Sequence, residues 1–325
     1  MIRTPICDLL KIDYPIALGG LGGGFTQPKM VAGVSAAGGF GAIGCHGMSA
    51  GQVAAASRAI REITDKPFAL NFLLFSIEEG AFEAALAQKP AAIALAWPRD
   101  DQELGLYVDR AHDAGCKVTL MAGSVKEAVR GAEAGADVII AQGTEGGGHV
   151  SWMASVVLTP MVVDAVSPVP VLAAGGFADG RGLVASLALG ADGILLGTRF
   201  LASEESKMHP NFKKAILDSN GHDTVLTEIP DLAAGTVWPG AMSRAQRNAF
   251  IENWIGQEWK VREYQKEVEQ AVNKAREEGD ADNAPLSFGQ DAGLIHDIIP
   301  VKDIVFRIIS EAEDILNNKL AVLLK

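Results

Sequence analysis

The feature that most constrains the fold is a repeat, in which short apolar runs alternate with alanine-rich amphipathic stretches from the N-terminus to about residue 200. This alternation is typical of parallel βα units, because helices then cover both faces of every strand. Eight such runs are present, at residues 15–19, 40–44, 68–73, 91–96, 117–122, 137–142, 170–174 and 193–197. Since eight strands can close a parallel sheet, the sequence predicts a single (β/α)8 TIM barrel of the α/β class.

Several predicted helices end in a glycine that comes shortly before the next apolar run. It occurs in the segments SAAGGFGAIG, HDAGCKVTL, AEAGADVII and LALGADGILLG. Glycine readily adopts the left-handed conformation that stops a helix, so the recurrence indicates one structural unit used many times. An open doubly wound sheet is the main alternative, but its G-x-G-x-x-G turn with a following acid is missing at the first strand.

The character of the sequence changes after about Met208, where longer polar stretches follow. Residues 244–256 and 258–278 are predicted to be helices, and the acidic stretch after them is predicted to be a loop. We therefore predict that residues 208–300 form a small helical insertion, which would act as a lid above the carboxyl ends of the strands.

The C-terminal segment returns to an amphipathic pattern. A predicted helix over 301–316 has an apolar face made of Ile304, Val305, Ile308 and Ile309. This helix would be the eighth of the barrel. The predicted organisation is thus a barrel over 1–207 that is closed by the helical segment 301–325.

The charge balance and the cysteines restrict the partners and the compartment. With 28 Lys and Arg against 40 Asp and Glu, the formal charge is −12, and such a surface repels phosphodiester backbones and anionic lipid. Cys7, Cys45 and Cys116 form no C-x-x-C pair, which fits a reduced cytosol. The N-terminus does not resemble a signal peptide. We expect a soluble, cytoplasmic protein without nucleic acid or membrane partners, and a homo-oligomer is compatible with the sequence.

Glycines follow the seventh and eighth predicted strands, at the end of the barrel where active sites are built. Gly175 and Gly176 come directly after the seventh strand, and a helix is predicted to start near Asp179. Gly197 and Thr198 end the eighth strand. Backbone N–H groups uncovered by glycine can bind an anion, and phosphate binding by these two loops is common in this fold. The sequence predicts a phosphate site here, and tight turns without a ligand are the alternative.

The sixth strand ends in Gln142, and three glycines at 146–148 lead from it to His149. Glycines allow the backbone to approach a flat ligand, and an imidazole can serve as a base or hydrogen-bond donor near neutral pH. A lone loop histidine is more often a surface residue, but this one would share the rim of the phosphate site. His149 is therefore the candidate catalytic residue.

The first and third strands offer further candidates. The glycine-rich segment from Gly19 to Gly24 could fold over an aromatic ring or could be a flexible turn. Asn71 is the polar residue of the apolar third strand, and its amide either satisfies backbone groups or binds a ligand. The other five histidines have no metal-ligand spacing, so no metal site is predicted.

Two long segments resemble the nitronate monooxygenases, formerly called 2-nitropropane dioxygenases. They are AQGTEGGGH at 141–149 and the stretch from AAGGFADGRG to ALGADGILLGTRFLASEES at 173–206. The resemblance extends to the opening at 15–21, to TDKPFALN at 64–71 and to GQDAGLIHDI at 289–298. It therefore covers nearly the whole chain.

The resemblance implies an FMN-containing barrel that oxidises alkyl nitronates with molecular oxygen to a carbonyl compound and nitrite, without a metal. His149 would be the catalytic residue, acting as a base on a neutral nitroalkane or as a hydrogen-bond donor to the nitro group. Four residues would hold the FMN phosphate, namely Gly175, Gly176, Gly197 and Thr198. The residues implied around the rest of the cofactor are Gly19, Gly20, Leu21, Asn71, Gln142, Gly147, Gly148 and Ala174.

The sequence departs from the family pattern at three points. Gly146 stands where alanine is usual, and Leu21 replaces a frequent methionine of similar volume. Trp152 lies just after the histidine, where the family usually continues with a glycine, so it is expected to narrow the pocket. Phe72, Phe75 and Trp97 are expected to make that pocket apolar.

Other functions remain open. Flavin-dependent enoyl-acyl-carrier-protein reductases are similar over the same EGGGH and LGTRF segments, and an NADH-dependent quinone reductase is a further possibility. A flavin-free lyase or isomerase could use the same phosphate site, although the strand ends lack a lysine or paired carboxylates. A barrel that binds FMN or a partner without catalysis would leave His149 without a role.

Overall fold

A computed structural model describes residues 2–324, so that Met1 and Lys325, the outer residues of two predicted segments, lie outside it. Its central feature is a sheet of eight parallel strands. These strands are β1 (Ile16–Leu18), β2 (Gly41–Gly44), β3 (Phe68–Leu73), β4 (Ala92–Ala96), β5 (Lys117–Ala122), β6 (Val138–Gln142), β8 (Val171–Ala174) and β9 (Gly193–Leu196). All eight predicted strands are confirmed, and no strand end differs from its predicted position by more than one residue.

The sheet closes on itself. Its strand order runs from β1 through β9, β8, β6, β5, β4 and β3 to β2. The first and last strands meet through a parallel bridge between Ala17 and Phe40. The Leu18 N–H donates to the Phe40 carbonyl at 2.9 Å, and the Phe40 N–H donates to the Ile16 carbonyl at 2.9 Å. The predicted (β/α)8 barrel is confirmed.

Helices follow the strands and form the outer layer. The helix α1 (Pro5–Leu10) precedes the first strand, and the helices that follow the strands in the first part of the chain are α2 (Pro28–Ala36), α3 (Ala50–Ile63), α4 (Glu79–Gln88), α5 (Leu104–Asp113), α6 (Val125–Glu133), α7 (Ser155–Val166), α8 (Gly180–Ala188) and the short α9 (Thr198–Leu201). The predicted helix-ending glycines adopt positive φ, at +92° for Gly38, +81° for Gly115, +93° for Gly135 and +89° for Gly190. A Cβ is disfavoured in that conformation, so the local sequence sets where these helices stop.

Two apolar layers hold the barrel together. Side chains that point outward from the strands, such as Ile93 and Leu95, pack against the helices in the larger cluster. The barrel interior contains smaller side chains, including Ala69 and Ala94, and the buried face of α1 joins this interior cluster. The interior is therefore a packed core, which leaves the loops after the strands as the place for a ligand.

The segment between the barrel and its last helix contains helices and strands. Its elements are α10 (Pro210–Asp218), β10 (Thr224–Thr227), α11 (Ile229–Ala234), β11 (Met242–Gln246), α12 (Ala249–Trp254), α13 (Glu258–Glu263) and α14 (Gln265–Glu278). The predicted helix over 244–256 is wrong in its first part, because β11 occupies residues up to Gln246. The predicted helix over 258–278 is divided in two at Tyr264. The insertion therefore contains two strands besides its helices, and the division into barrel and lid stays a prediction.

The two strands of this segment join a third strand that belongs to the barrel's loops. β7 (Gly148–Val150) follows β6, and it pairs antiparallel with β11, which in turn pairs with β10. In the register, His149 lies opposite Ser243. The last helix, α15 (Val301–Asp314), buries Ile304, Val305, Ile308 and Ile309 against the barrel, as predicted from its apolar face.

Candidate active site

The loops after β6 and β8 touch at the carboxyl end of the barrel. The Gly143 N–H donates to the Ala174 carbonyl at 2.8 Å. A Cβ at Gly175 would lie 2.5 Å from the Gly143 carbonyl oxygen, and φ of Gly175 is +92°. Because a side chain would clash there and would also be strained, glycine is needed at Gly175. The structure thus brings Gly175 and Gly176 next to the loop that leads to His149.

The segment 289–291 links the loop after β6 to the loop after β9. The Gly289 N–H donates to the Thr198 Oγ1 at 2.9 Å, and the Gln290 N–H donates to the Glu145 carbonyl at 2.9 Å. A Cβ at Gly147 would overlap the backbone of Phe288 and Gly289. Gly147 and Thr198 are therefore held together by a part of the chain that follows α14.

Backbone N–H groups remain available where these loops meet at the carboxyl end of the barrel. Within residues 2–324, those of Gly176, Gly197 and Thr198 donate to no other backbone or side-chain group. β8 and β9 are adjacent strands with Ala174 opposite Leu195, so these N–H groups follow neighbouring strand ends. Gly176 and Gly197 are half-buried and Thr198 is buried, so these unpaired N–H groups are suited to an anionic ligand.

The start of α8 differs from this pattern. The N–H groups of Arg181 and Gly182 donate to the Asp179 carboxylate, and the Gly180 N–H donates to Glu311 at 3.0 Å. The helix begins next to Asp179 as predicted, but carboxylates of the chain itself occupy its first turn. The N-terminus of α8 therefore adds no free donors to the predicted phosphate site.

Gln142 ends β6 and carries an unsatisfied oxygen. Its Oε1 is buried and has no hydrogen-bond partner among the described residues. A buried carbonyl oxygen without a donor costs about 1–3 kcal/mol. Ala174 lies opposite Gln142 on β8, and Gly175 and Gly176 follow it. This oxygen is thus placed to accept a hydrogen bond from a ligand at the same rim.

The loop after β1 reaches the same group of strand ends. The Leu21 side chain lies 3.4 Å from the position of a Cβ at Gly197 and 3.7 Å from that of one at Gly19. A Cβ at Gly20 would overlap the Asn71 side chain. The structure therefore brings Gly19, Gly20 and Leu21 to the ends of β3 and β9.

Asn71 has a structural partner. Its Nδ2 donates to the Ala94 carbonyl at 3.2 Å, and the residue is buried. Of the two roles that the sequence left open for this amide, the structure shows the satisfaction of a backbone group. The role of Asn71 in cofactor binding stays a prediction.

His149 lies in β7 and has two close partners from the segment 208–300. Its Nε2 is 2.8 Å from the Asp231 Oδ1, with the imidazole 19% and the carboxylate 12% exposed. The imidazole stacks on the indole of Trp238, with ring centroids 3.3 Å apart and an angle of 11° between the planes. The imidazole of the candidate catalytic residue is therefore hydrogen-bonded at one edge and stacked on one face.

An aromatic group surrounds Trp238. The Phe75 ring centroid lies 4.8 Å from that of Trp238, and the Trp97 centroid lies 5.9 Å away. Trp97 follows β4 and has φ of +55°, a conformation that is uncommon for a bulky residue. Such outliers are concentrated at functional sites. Phe75 and Trp97 thus line an apolar region beside His149, as expected.

Two expectations about aromatic side chains are wrong. Phe72 is buried against Phe82 in the outer core, with ring centroids 5.5 Å apart, so it does not line this region. Trp152 is 65% exposed, and Trp238 is the tryptophan that covers His149. Sequence reasoning missed Trp238 and Asp231, because both lie more than 80 residues beyond His149 in a segment without a recognisable motif.

Asp291 is a second carboxyl group at this rim that the sequence did not single out. It is buried beside Thr198, with which it forms a hydrogen bond. Desolvation raises its pKa to about 7, although the Thr198 hydrogen bond and the charge of Arg199 act in the other direction. The rim therefore contains a carboxyl group that changes charge near neutral pH.

In the described part of the chain, the remaining histidines and the cysteines show no sign of a metal centre. His46 is exposed and its Nδ1 lies 3.3 Å from the Ser76 Oγ. Among residues 2–324, no group of three His, Cys, Asp or Glu side chains is arranged to hold a metal ion. Cys7, Cys45 and Cys116 are free and buried. Over the same residues, no helix is long and apolar enough to cross a membrane.

Two sizeable cavities lie away from the rim. One, of about 390 Å³, lies between α8 and α15 and is lined by paired charges such as Arg199 and Asp297. The other, of about 510 Å³, lies between α12 and α14. Neither is lined by a residue predicted for the site.

A parallel barrel with free N–H groups and an imidazole–carboxylate pair at the carboxyl ends of its strands has the architecture of a barrel enzyme. The sequence model of the nitronate monooxygenase family matches residues 3–96 and 88–311. The chain belongs to this family. Membership supports an oxidoreductase.

Several known proteins are similar to this chain over nearly its whole length. A probable nitronate monooxygenase of Staphylococcus aureus is 31% identical, over 98% of this chain and 99% of the relative. The structure of FabK from Thermotoga maritima is 33% identical with a TM-score of 0.88, over 99% of this chain and 100% of that one. A nitroalkane oxidase from Streptomyces ansochromogenes is 25% identical with a TM-score of 0.82, over 95% and 98%. The fold and the family are therefore established, but the relatives differ in their names.

Proposed function

We propose that the protein is an FMN-dependent nitronate monooxygenase, which oxidises alkyl nitronates and nitroalkanes with molecular oxygen to a carbonyl compound and nitrite. One observation carries the proposal: the free N–H groups of Gly176, Gly197 and Thr198, the orphaned Oε1 of Gln142 and the imidazole of His149 lie on the same rim. The rim therefore offers donors for the phosphate of a cofactor, an acceptor for a polar group of its ring and a side chain that can react with the substrate.

The residues present fit FMN. The N–H groups of Gly176, Gly197 and Thr198, with Gly175 beside them, would hold the phosphate. Gly19, Gly20, Leu21, Gly147, Gly148 and Ala174 would lie along the rest of the cofactor, and Gln142 would accept a hydrogen bond from it. When bound, FMN would supply the electron acceptor for the oxidation of the nitronate.

His149 would act on the substrate itself. With a neutral nitroalkane it would remove the proton on the carbon that bears the nitro group, and the imidazolium so formed would hold the nitronate by a hydrogen bond. The aromatic rings of Phe75, Trp97 and Trp238 would exclude water, which strengthens such a hydrogen bond. The family similarity supports this chemistry, and the relatives' names connect it with nitro compounds.

The test is a visible absorbance spectrum of the purified protein, followed by anaerobic titration with propyl nitronate and, separately, with NADH. We expect a yellow protein that releases FMN when it is denatured, rapid bleaching by the nitronate and slow bleaching by NADH. Free FMN at the same concentration is the control. In air, the nitronate should yield nitrite.

The same experiment decides between this function and its alternatives. Rapid bleaching by NADH with none by the nitronate would replace the proposal with a flavin-dependent reductase. A colourless protein that takes up no FMN would favour a flavin-free lyase or isomerase. Location in the cytoplasm, which the reduced cysteines suggest, stays a prediction.

A further inference from the structure

We propose that Asp231 is a positioning residue for His149, so that the segment 208–300 supplies part of the catalytic machinery. The inference rests on the proposed function, in which His149 acts as a base. Its basis is the 2.8 Å contact between the His149 Nε2 and the Asp231 Oδ1, in which both side chains are mostly buried.

The contact determines which ring nitrogen is free. An ionised carboxylate only accepts hydrogen bonds, so the Nε2 of His149 must carry the proton that it donates to Asp231. In the neutral imidazole the Nδ1 then has a lone pair. Within residues 2–324 this Nδ1 has no hydrogen-bond partner. Asp231 thus selects the tautomer in which Nδ1 can accept a proton from a substrate.

Asp231 is itself held firmly. It lies in α11, and just before this helix the Thr227 Oγ1 accepts from the Ile229 N–H at 3.1 Å. Ile229 and Ala233 are buried in the apolar cluster of the same segment. The carboxylate is therefore fixed by a packed helix, which is what orientation of a base requires.

The stacking of Trp238 restricts rotation of the His149 imidazole. With the planes 11° apart at 3.3 Å, the imidazole cannot rotate about its Cβ–Cγ bond without separating from the indole. Asp231 fixes the in-plane direction of Nε2, and Trp238 fixes the plane. Both constraints come from residues 231–238, so the catalytic geometry depends on the correct docking of this segment.

The step that Asp231 would assist is a proton transfer. The bond between carbon and hydrogen in the neutral nitroalkane breaks, its electron pair moves into the nitro group, and a bond forms between Nδ1 of His149 and the proton. The product is a nitronate and an imidazolium. The Asp231 carboxylate would stabilise the imidazolium without taking the proton itself. A nitronate offered as the substrate needs no such step.

The experiment compares wild type with Asp231→Asn, Asp231→Ala and Asp231→Glu holoenzymes on nitroethane and on ethyl nitronate. We expect kcat for nitroethane to fall about tenfold to hundredfold in the first two variants, with partial recovery in Asp231→Glu. Turnover of the nitronate should change less than about twofold. Equal losses on both substrates, or no loss on nitroethane, would overturn the proposal.

Asp137→Asn is the matched control. Asp137 lies 2.8 Å from the Nε2 of His112, the same distance as in the pair at the rim, but it precedes β6 at the opposite end of the barrel. This variant makes the same chemical change in a second His–Asp pair. It should leave the ratio of nitroethane to nitronate turnover unchanged, and a matching change in that ratio would contradict the inference.

A second measurement does not depend on the reaction. The ¹⁵N shifts of the His149 ring, assigned by comparison with His149→Gln, report which nitrogen carries the proton. We expect the Nε2–H form in the wild type and a shift towards the Nδ1–H form in Asp231→Ala. An Nδ1–H wild type would overturn the positioning role, whereas failure of wild type to oxidise any nitronate would overturn the proposed function alone.

Discussion

The two ends of β6 differ in how completely their polar groups are hydrogen-bonded. Before its first residue, the Asp137 carboxylate accepts from His112, Lys117 and the Val118 N–H, each at 2.8 Å. At its last residue, the Oε1 of Gln142 is buried without a partner in the described chain. The amino end of the strand is thus fully satisfied by the protein, and the carboxyl end is not.

This difference distinguishes polar groups that stabilise the fold from polar groups that are available to a ligand. A buried polar group with a complete set of partners contributes to folding and leaves nothing for a ligand, whereas an unpartnered group destabilises the protein until something binds. The glycines show the same contrast: Gly190 only ends a helix, while Gly176 is one of the residues with a free N–H. Pairs of matched variants at the two ends can therefore test where the function lies.

The largest difference in activity is expected between variants of two histidines, His149 and His112. His149→Ala should keep FMN but lose about 10²- to 10⁴-fold in turnover of neutral nitroalkanes, because the base for proton removal is gone. Initial rates with nitroethane, together with the flavin spectrum, check this. His112→Ala removes a histidine from the other His–Asp pair and should leave the rate unchanged. Undiminished activity in His149→Ala would remove His149 from the mechanism.

A smaller effect is expected from the two glycines. Gly176 has φ of +82° and Gly190 has φ of +89°, and in each case a Cβ would lie 3.1 Å from its nearest neighbour. Alanine at either position should cost about 1–2 kcal/mol of stability, because the left-handed backbone is strained. In Gly176→Ala alone, FMN affinity should also fall by about tenfold, since the backbone of the phosphate site shifts.

Urea denaturation and fluorescence titration with FMN measure the two properties separately. Equal loss of FMN affinity in Gly176→Ala and Gly190→Ala would mean that the effect comes from general destabilisation. The N–H of Gly176 would then have no special part in binding.

The contrast between the ends also explains what the sequence could predict. Strands, helix-ending glycines and the glycine loops after β8 and β9 are encoded by residues close together in the chain, and the βα repeat makes them recognisable. The Asp231–His149 contact joins residues 82 positions apart, through pairing of β7 with β11. No local pattern in the sequence records such a pairing.

The error over β11 has the same physical origin. Its sequence MSRAQ contains good helix formers, a local preference that agrees with the helix predicted for residues 244–256. In the structure, Met242–Gln246 pairs with strands on both sides, and Arg244 donates from Nε to the Thr144 carbonyl at 2.8 Å. Tertiary contacts therefore override the local preference, and these same contacts bring Asp231 and Trp238 to His149.

The smallest effect is expected from Asp291 and Asp137. Their contributions to the free energy of unfolding change with pH in opposite directions. Burial raises the pKa of Asp291 to about 7, above its unfolded value. The neutral form is then favoured in the folded state, so stability from this group is present at low pH and is lost as the pH rises towards about 7. Desolvation would also raise the pKa of Asp137, but hydrogen bonds from Lys117 and His112 outweigh it and lower that pKa. Asp137 therefore stabilises the fold above its unfolded pKa.

Urea denaturation at pH 6 and pH 8, with the same excess of FMN, compares Asp291→Asn and Asp137→Asn with the wild type. Asp291→Asn should gain stability relative to wild type by about 1 kcal/mol between the two pH values, because the variant no longer buries a charge. Asp137→Asn should be less stable than wild type at pH 8. If Asp291→Asn were instead less stable than the wild type at pH 8, the ionised Asp291 carboxylate would have a favourable partner. The polar groups at the rim would then be as well hydrogen-bonded as those at the opposite end of the barrel.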